Sequence, residues 1–270
     1  IINKVMCRIS KHLQKYMTIS NQTLDKVGVV ILAAGEGKRM KSDIPKVMHE
    51  LHGKPLIEHA VEHVEDLGLL HKPVIVVSPK HTMVQDYLVS RAEYVVQPEQ
   101  LGTGHAVSMA EFLLQDKVTH VIVLYGDMPF VSADSLGRLI SRHVERDNAV
   151  TLMTFMVPHF KGVYQPFYNF GRIVRDPDNG HILRIVERKD ATESELGILE
   201  LNPSFFCFKA SWLWESLKKL KNTNVQGEYY LTDLIGLAIE EGEHLSSVSI
   251  EPKEAMGINT LDDLEIARTV

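Results

Sequence analysis

Residues 29 to 47 read VVILAAGEGKRMKSDIPKV, an apolar run followed by a glycine pair and four cations, Lys38, Arg39, Lys41 and Lys46. The backbone N–H groups of a glycine turn can face an anion, and clustered cations can neutralise one. Two phosphate fingerprints fail here. Gly-x-Gly-x-x-Gly needs glycine where Met40 stands, and a Walker A loop needs Ser or Thr where Arg39 follows Gly37-Lys38. The first failure argues against a dinucleotide-dependent oxidoreductase. Two other stretches put polar residues at the end of apolar runs. Gln97 to Gly104 reads QPEQLGTG, which taken alone is a capped helix start. Asp127 closes VIVLYGD and is, on its own, either an N-cap or a metal ligand.

The elements that must position these residues follow from periodicity. Val29 to Leu32 is a buried strand without polar alternation, and Leu56, Ile57, Ala60, Val61 and Val64 recur at helical spacing up to the stop signal Gly68. PVIVVS, EYVVQ and VTHVIVLYGD read as further strands, with helices over MVQDYLVSR, from about Thr103 to Leu114, and after the N-cap Ser132. Strand alternating with helix over residues 27–150 predicts an α/β fold with a Rossmann-like, doubly wound, mostly parallel sheet. From residue 151 to 270 the pattern changes to strands separated by turns: TLMTFMV, GRIVRD, HILRIVE and ILELNPSFFCFKA, with a hairpin signal at Pro177-Asp178-Asn179-Gly180. These predict an antiparallel lobe. Helices are expected over Ser211 to Leu220 and Tyr230 to Glu241, then the strand SSVSI and a helix capped by Thr260-x-x-Asp263. In such a sheet ligands bind off the carboxyl ends of the strands, where all three polar stretches lie.

With 270 residues, 44% hydrophobic and 24% charged, the chain has an ordinary globular composition. A net charge of -6 argues against nucleic acid or a membrane surface as partner, so the local cations are expected to serve small molecules. Cys7 and Cys207 are far apart and in no Cys-x-x-Cys pair, which predicts neither a disulfide framework nor structural zinc, and a cytoplasmic setting. The segment IINKVMCRISKHLQKYM is basic and loosely amphipathic but has one arginine and no uninterrupted apolar core, so no targeting role is expected. Residues 1–26 are read as an N-terminal extension, with 1–16 upstream of a natural start at Met17, and residues 27–270 as one domain.

Taken together, the motifs resemble the sugar nucleotidyltransferases, most closely the uridylyltransferase half of the bacterial bifunctional enzyme that makes UDP-N-acetylglucosamine. The stretches that carry the resemblance are Leu32 to Met40, Ser42 to Val47, Gln100 to Ala106, Tyr125 to Asp127, Val186 to Thr192, Gln226 to Asp233 and Gly257 to Thr260, in order. It implies a nucleotide-diphospho-sugar transferase fold and Mg²⁺-dependent transfer of a uridylyl group from UTP to N-acetylglucosamine 1-phosphate, releasing pyrophosphate. Carried over, Arg39 holds the pyrophosphate and Lys46 bridges charge near the reacting phosphates. Leu32, Ala33, Ala34, Gly35, Gln97, Gln100, Gly102 and Thr103 bind the nucleotide, Tyr125, Gly171, Glu187 and Asn202 the sugar, and Asp127 and Asn259 the Mg²⁺. Nothing in the chain corresponds to the acetyltransferase half.

Three departures bear on these expectations. Lys38 replaces the family's usual threonine, and residues 158–170, PHFKGVYQPFYNF, lengthen the approach to Gly171 with aromatic rings that should reshape the rim of the sugar pocket. The family's Asn-Thr-Gly at the sugar site is Asn202-Pro203-Ser204 here, which loses a glycine. Rival readings are the same chemistry on another sugar phosphate and a catalytically silent regulatory subunit. Taken alone, Glu187 beside Arg188 and Lys189 reads as a surface ion pair, and His49, His52, His59, His63 and His105 as surface or capping residues.

Overall fold

The first strand, β1 (Val27–Leu32), is apolar on both faces because both are covered. Val27, Val29 and Ile31 join one apolar cluster and Val30 the other, as the alternation of strand side chains requires. The computed structural model describes residues 19–224 and 226–270; the expectations about Cys7, targeting and residues 1–16 lie outside these residues. Among the described residues no helix is long and apolar enough to cross a membrane.

A small hairpin, β2 (Glu50–Leu51) and β3 (Lys54–Pro55), follows the glycine loop and leads into helix Leu56–Glu65. β4 (Val74–Val77), β5 (Glu93–Val96) and β6 (His120–Tyr125) then give the parallel order β5-β4-β1-β6. The order reverses between β1 and β6, and at such a switch point a crevice opens off the carboxyl ends. Helix Ala133–Glu145 starts where expected, with the Ser132 hydroxyl accepting the Ser135 N–H. The helix predicted over Thr103 to Leu114 is two, Thr103–Ser108 and Glu111–Leu114, broken at Met109-Ala110.

β7 (Val150–Met156), β8 (Gly171–Arg175), β9 (Ile182–Val186), β10 (Glu200–Asn202), β11 (Phe206–Lys209) and β12 (Leu245–Ser249) complete a ten-stranded sheet. β11 pairs antiparallel with β6 and with β7, so the second half of the chain extends the first half's sheet. The stretch read as one strand, ILELNPSFFCFKA, is broken. Leu201 faces Phe155 and Phe206 faces Leu152, so two extra residues bulge out around Pro203-Ser204. Below the bulge the strand pairs with β6, above it with β8. Tyr125 and Gly171 are thereby brought to the two sides of one break in the sheet.

Pairing also assigns the faces of the lobe. Asn202 is opposite Gly171, while Leu201 is opposite both Arg172 and Phe155. Gly171, Asn202 and Glu187 therefore share one face, and Phe155, Leu201 and Arg172 the other. The 158–170 insertion packs on the second face: Phe167 and Phe170 contact Phe155 at ring separations of 5.0 and 5.4 Å, and Phe160 and Tyr168 cover the Arg172 guanidinium. These rings therefore lie on the face opposite Gly171, Asn202 and Glu187.

Candidate active site

The glycine loop leaves β1 at Leu32 and closes tightly on Lys46. Gly37 has φ +61°, and a Cβ there would lie 2.7 Å from the Lys46 Cβ, so glycine lets the loop and Lys46 touch. The Lys46 ammonium, half-buried, ion-pairs with Asp127 Oδ2 and donates to Asn259 Oδ1 at 2.9 Å. Arg39 donates to the same Asn259 oxygen at 3.0 Å. Asn259 is delivered by two backbone features. Asp127 O accepts the Ile258 N–H at 2.9 Å, and the Asp263 carboxylate accepts the Asn259 and Thr260 N–H groups, the latter in the capping box predicted from Thr260-x-x-Asp263. Four residues nominated from three distant stretches, Arg39, Lys46, Asp127 and Asn259, therefore form one connected cluster.

Beside them is a cavity of about 230 Å³ lined by Leu32, Ala33, Ala34, Gly35, Lys46, Gln97, Gln100, Gly102, Thr103, Tyr125 and Asp127, among others. The Gln100 amide donates to Ala34 O, tying the second strand-end loop to the first. Gln97 is buried, and its Nε2 is 3.1 Å from both Gly102 O and His105 Nδ1. Both amide hydrogens have acceptors there, which fixes the amide and leaves Oε1 as an acceptor. The helix at Thr103 is docked from the far half of the chain. Gly104 N donates to Tyr229 O at 2.8 Å, Tyr229 N to Leu101 O at 2.7 Å, and the Leu231 N–H to Thr103 Oγ1 at 3.0 Å.

Gly171, Glu187 and Asn202 are not among the residues lining this cavity, although Tyr125 is. They meet one another on their shared face: a Cβ on Gly171 would lie 3.3 Å from Glu187 Oε1. Burial first, then the nearby Asp190 and Asp233 charges, push the Glu187 carboxyl above its ordinary pKa. Glu187 is not the surface ion pair that its neighbours suggested, since Arg188 instead donates to Asn169 and covers Tyr168. Burial and then Asp127 push the Tyr125 phenol up, while a hydrogen bond with Ser204 opposes the shift.

Four residues not nominated from the sequence are found here: His105 orients Gln97, and Val47, Ala106 and Glu228 line the cavity. Glu228 sits in the quoted stretch Gln226 to Asp233, which was the available signal; His105 had none beyond its place in Gln100 to Ala106. Lys38 is turned away, 3.0 Å from Glu36, whose carboxylate also pairs with Lys80 and is held below its ordinary pKa by the two lysines.

Cations and a glycine loop at the switch point of a doubly wound sheet, with a carboxylate at the next strand end, mark a nucleotide-binding α/β domain. The chain belongs to the MobA-like NTP transferase domain family, whose pattern matches residues 29–225. It is similar to proteins named Bifunctional protein GlmU: 41% identical over 237 residues to that of Brevibacillus brevis (87% of this chain, 50% of the relative). The Clostridium beijerinckii protein is 39% identical over 89% of this chain and 51% of its own length, and a Bacillus cereus protein 42% identical over 85% and 48%. The chain spans about half the length of these curated relatives.

Proposed function

We propose that the chain transfers a uridylyl group from UTP to a sugar 1-phosphate, with N-acetylglucosamine 1-phosphate as the acceptor. A phosphate oxygen of the sugar attacks the α-phosphorus, the bond from that phosphorus to the bridging oxygen breaks, and pyrophosphate leaves. Transfer of this kind is catalysed by positioning and charge neutralisation, with no covalent nucleophile. The observation that carries the proposal is the single cluster of Lys46, Asp127, Asn259 and Arg39 against the glycine-lined cavity. In this reading Lys46 faces the reacting phosphates and Arg39 the departing pyrophosphate, Gln97, Gln100, Gly102 and Thr103 hold the base, and Tyr125, Gly171, Glu187 and Asn202 hold the sugar.

The donor set also suits Mg²⁺. Asp127 Oδ2 and Asn259 Oδ1 already converge on one cation, the Lys46 ammonium. Mg²⁺ takes one or two such protein oxygens and completes its shell with phosphate and water. Among the described residues no three His, Cys, Asp or Glu side chains cluster into a cage. When bound, the ion supplies neutralisation of phosphate charge.

Uracil has an N–H donor between two carbonyls, and the fixed Gln97 amide leaves its Oε1 as an acceptor for that N–H. Cytosine's exocyclic amine can meet the same acceptor, so discrimination between the two bases falls to the backbone groups of the Gly102 turn. Competition among UTP, CTP, ATP and GTP in a binding assay tests the assignment. UTP should bind most tightly, and Gln97→Glu should weaken it; equal binding of CTP would contradict the base assignment.

A further inference from the structure

Two carboxylates line the cavity, Asp127 and Glu228, and only Asp127 has a part in the chemistry above. Asp127 is matched by the Lys46 ammonium. Glu228 is half-buried, and among the described residues its carboxylate makes no hydrogen bond or ion pair. Its backbone, by contrast, is clamped. The Asn224 carboxamide takes both ends, with Oδ1 accepting the Glu228 N–H at 3.2 Å and Nδ2 donating to Glu228 O at 2.5 Å. The next residue, Tyr229, is the one bonded to Leu101 and Gly104. A Cβ on Gly102 would lie 2.9 Å from the Glu228 Cβ, so the side chain starts against the Gly102 turn.

That turn, with Gln97 and Thr103, is the part of the cavity assigned to the base. A carboxylate without a matching cation is repelled by a triphosphate, so its place is beside the uncharged part of a nucleotide. When ionised it only accepts hydrogen bonds and therefore needs donors. The uncharged part of UTP carries three: the uracil N–H and the two ribose hydroxyls. With the N–H given to Gln97 Oε1, the adjacent hydroxyls remain, and two carboxylate oxygens match two neighbouring O–H groups.

We infer that Glu228 is the specificity-determining residue for the ribose: its carboxylate accepts from the 2′- and 3′-hydroxyls and so selects ribonucleoside over deoxyribonucleoside triphosphates. The inference rests on the reading of this cavity as the UTP site.

The test is calorimetric binding of UTP, 2′-deoxy-UTP, 3′-deoxy-UTP and pyrophosphate to the wild-type chain, Glu228→Ala and Glu228→Gln, with thermal unfolding of each. Wild type should bind UTP roughly tenfold more tightly than either deoxy analogue, because a site built for a hydroxyl leaves its charged acceptor unpaired when the hydroxyl is missing. In Glu228→Ala the three nucleotides should bind within about twofold of one another, through loss of UTP affinity. Glu228→Gln keeps one acceptor oxygen and should fall between. Pyrophosphate affinity should change less than twofold in both variants. If Glu228→Ala unfolds early, the ratio in Glu228→Gln decides. Equal binding of UTP and both deoxy analogues by wild type overturns the inference, and so does a tenfold preference that survives in the variants. Tighter binding of pyrophosphate and of every nucleotide by Glu228→Ala sets the carboxylate beside the phosphates and also overturns it. Failure of wild type to bind UTP overturns the nucleotide reading and this inference with it.

Discussion

At the scale of single residues, the account rests on Lys46 being shared by Asp127 and Asn259. Lys46→Ala should reduce turnover by roughly 10²–10³, the cost of losing one preorganised electrostatic donor, while leaving the fold intact. Steady-state rates paired with a circular dichroism melt check this; loss of the fold would make the lysine structural. Asp127→Ala should leave almost no activity at any Mg²⁺ concentration, and near-normal turnover would remove Asp127 from the metal site. Lys46 and Asp127 were legible as candidates because each stands in a short motif that suggests anion or metal chemistry, cations after glycines and a carboxylate after an apolar strand, whereas Asn259 was reached only through the resemblance. Asn202 was only half legible. Its position came from motif order, but the bond that orients it comes from Ser204 in a conformation that sequence gives no reason to expect of serine. His105 was read as bland because its partner, Gln97, depends on how the turn at Gly102 folds back.

At the scale of elements, the parallel half was legible strand by strand, since buried parallel strands are continuous apolar runs. The antiparallel half was legible as strands but not as pairings. The break at Pro203-Ser204 shows why: the run ILELNPSFFCFKA stays apolar through the bulge, so only the register against Val150–Met156 reveals it. The docking of Gln226 to Leu231 onto the Leu101–Gly104 turn was equally invisible, being a backbone contact between distant segments. It makes a sharp demand on Gly102, where φ is +105° and a Cβ would lie 2.6 Å from Tyr229 O. Gly102→Ala should therefore destabilise the fold by about 1–3 kcal/mol and weaken UTP binding, as read by urea unfolding and calorimetry. The aromatic insertion makes a different prediction. Phe167 is buried against Phe155 and Phe170, so Phe167→Ala should cost about 3–5 kcal/mol while affecting binding only through stability.

At the scale of the whole molecule, stability should depend on pH through a buried histidine far from the proposed chemistry. His143 bonds Thr151 Oγ1 at 3.0 Å and stacks edge-on to His120, and burial first, then His120 and Lys209, push its pKa down to about 3, against a smaller opposing effect of Asp147. The unfolded chain binds this proton below an ordinary pKa of about 6.5 and the folded chain refuses it, so stability is full above that pH. It is then lost as pH falls from 6.5 toward 3, by up to about 1.4 kcal/mol per pH unit from this one group. His120, also depressed by burial, acts in the same direction. His143→Gln should flatten the slope in urea melts between pH 6.5 and 5, and an unchanged slope would assign the proton uptake elsewhere. The central claim, that cations at a sheet's switch point serve uridylyl transfer, is tested most directly by the reaction itself. Wild-type protein with Mg²⁺, UTP and N-acetylglucosamine 1-phosphate should release pyrophosphate and form an equal amount of UDP-N-acetylglucosamine, followed together by phosphorus NMR, with neither product when the sugar phosphate is left out. Pyrophosphate release that does not depend on the sugar phosphate, or no product from UTP with any sugar 1-phosphate, would contradict it.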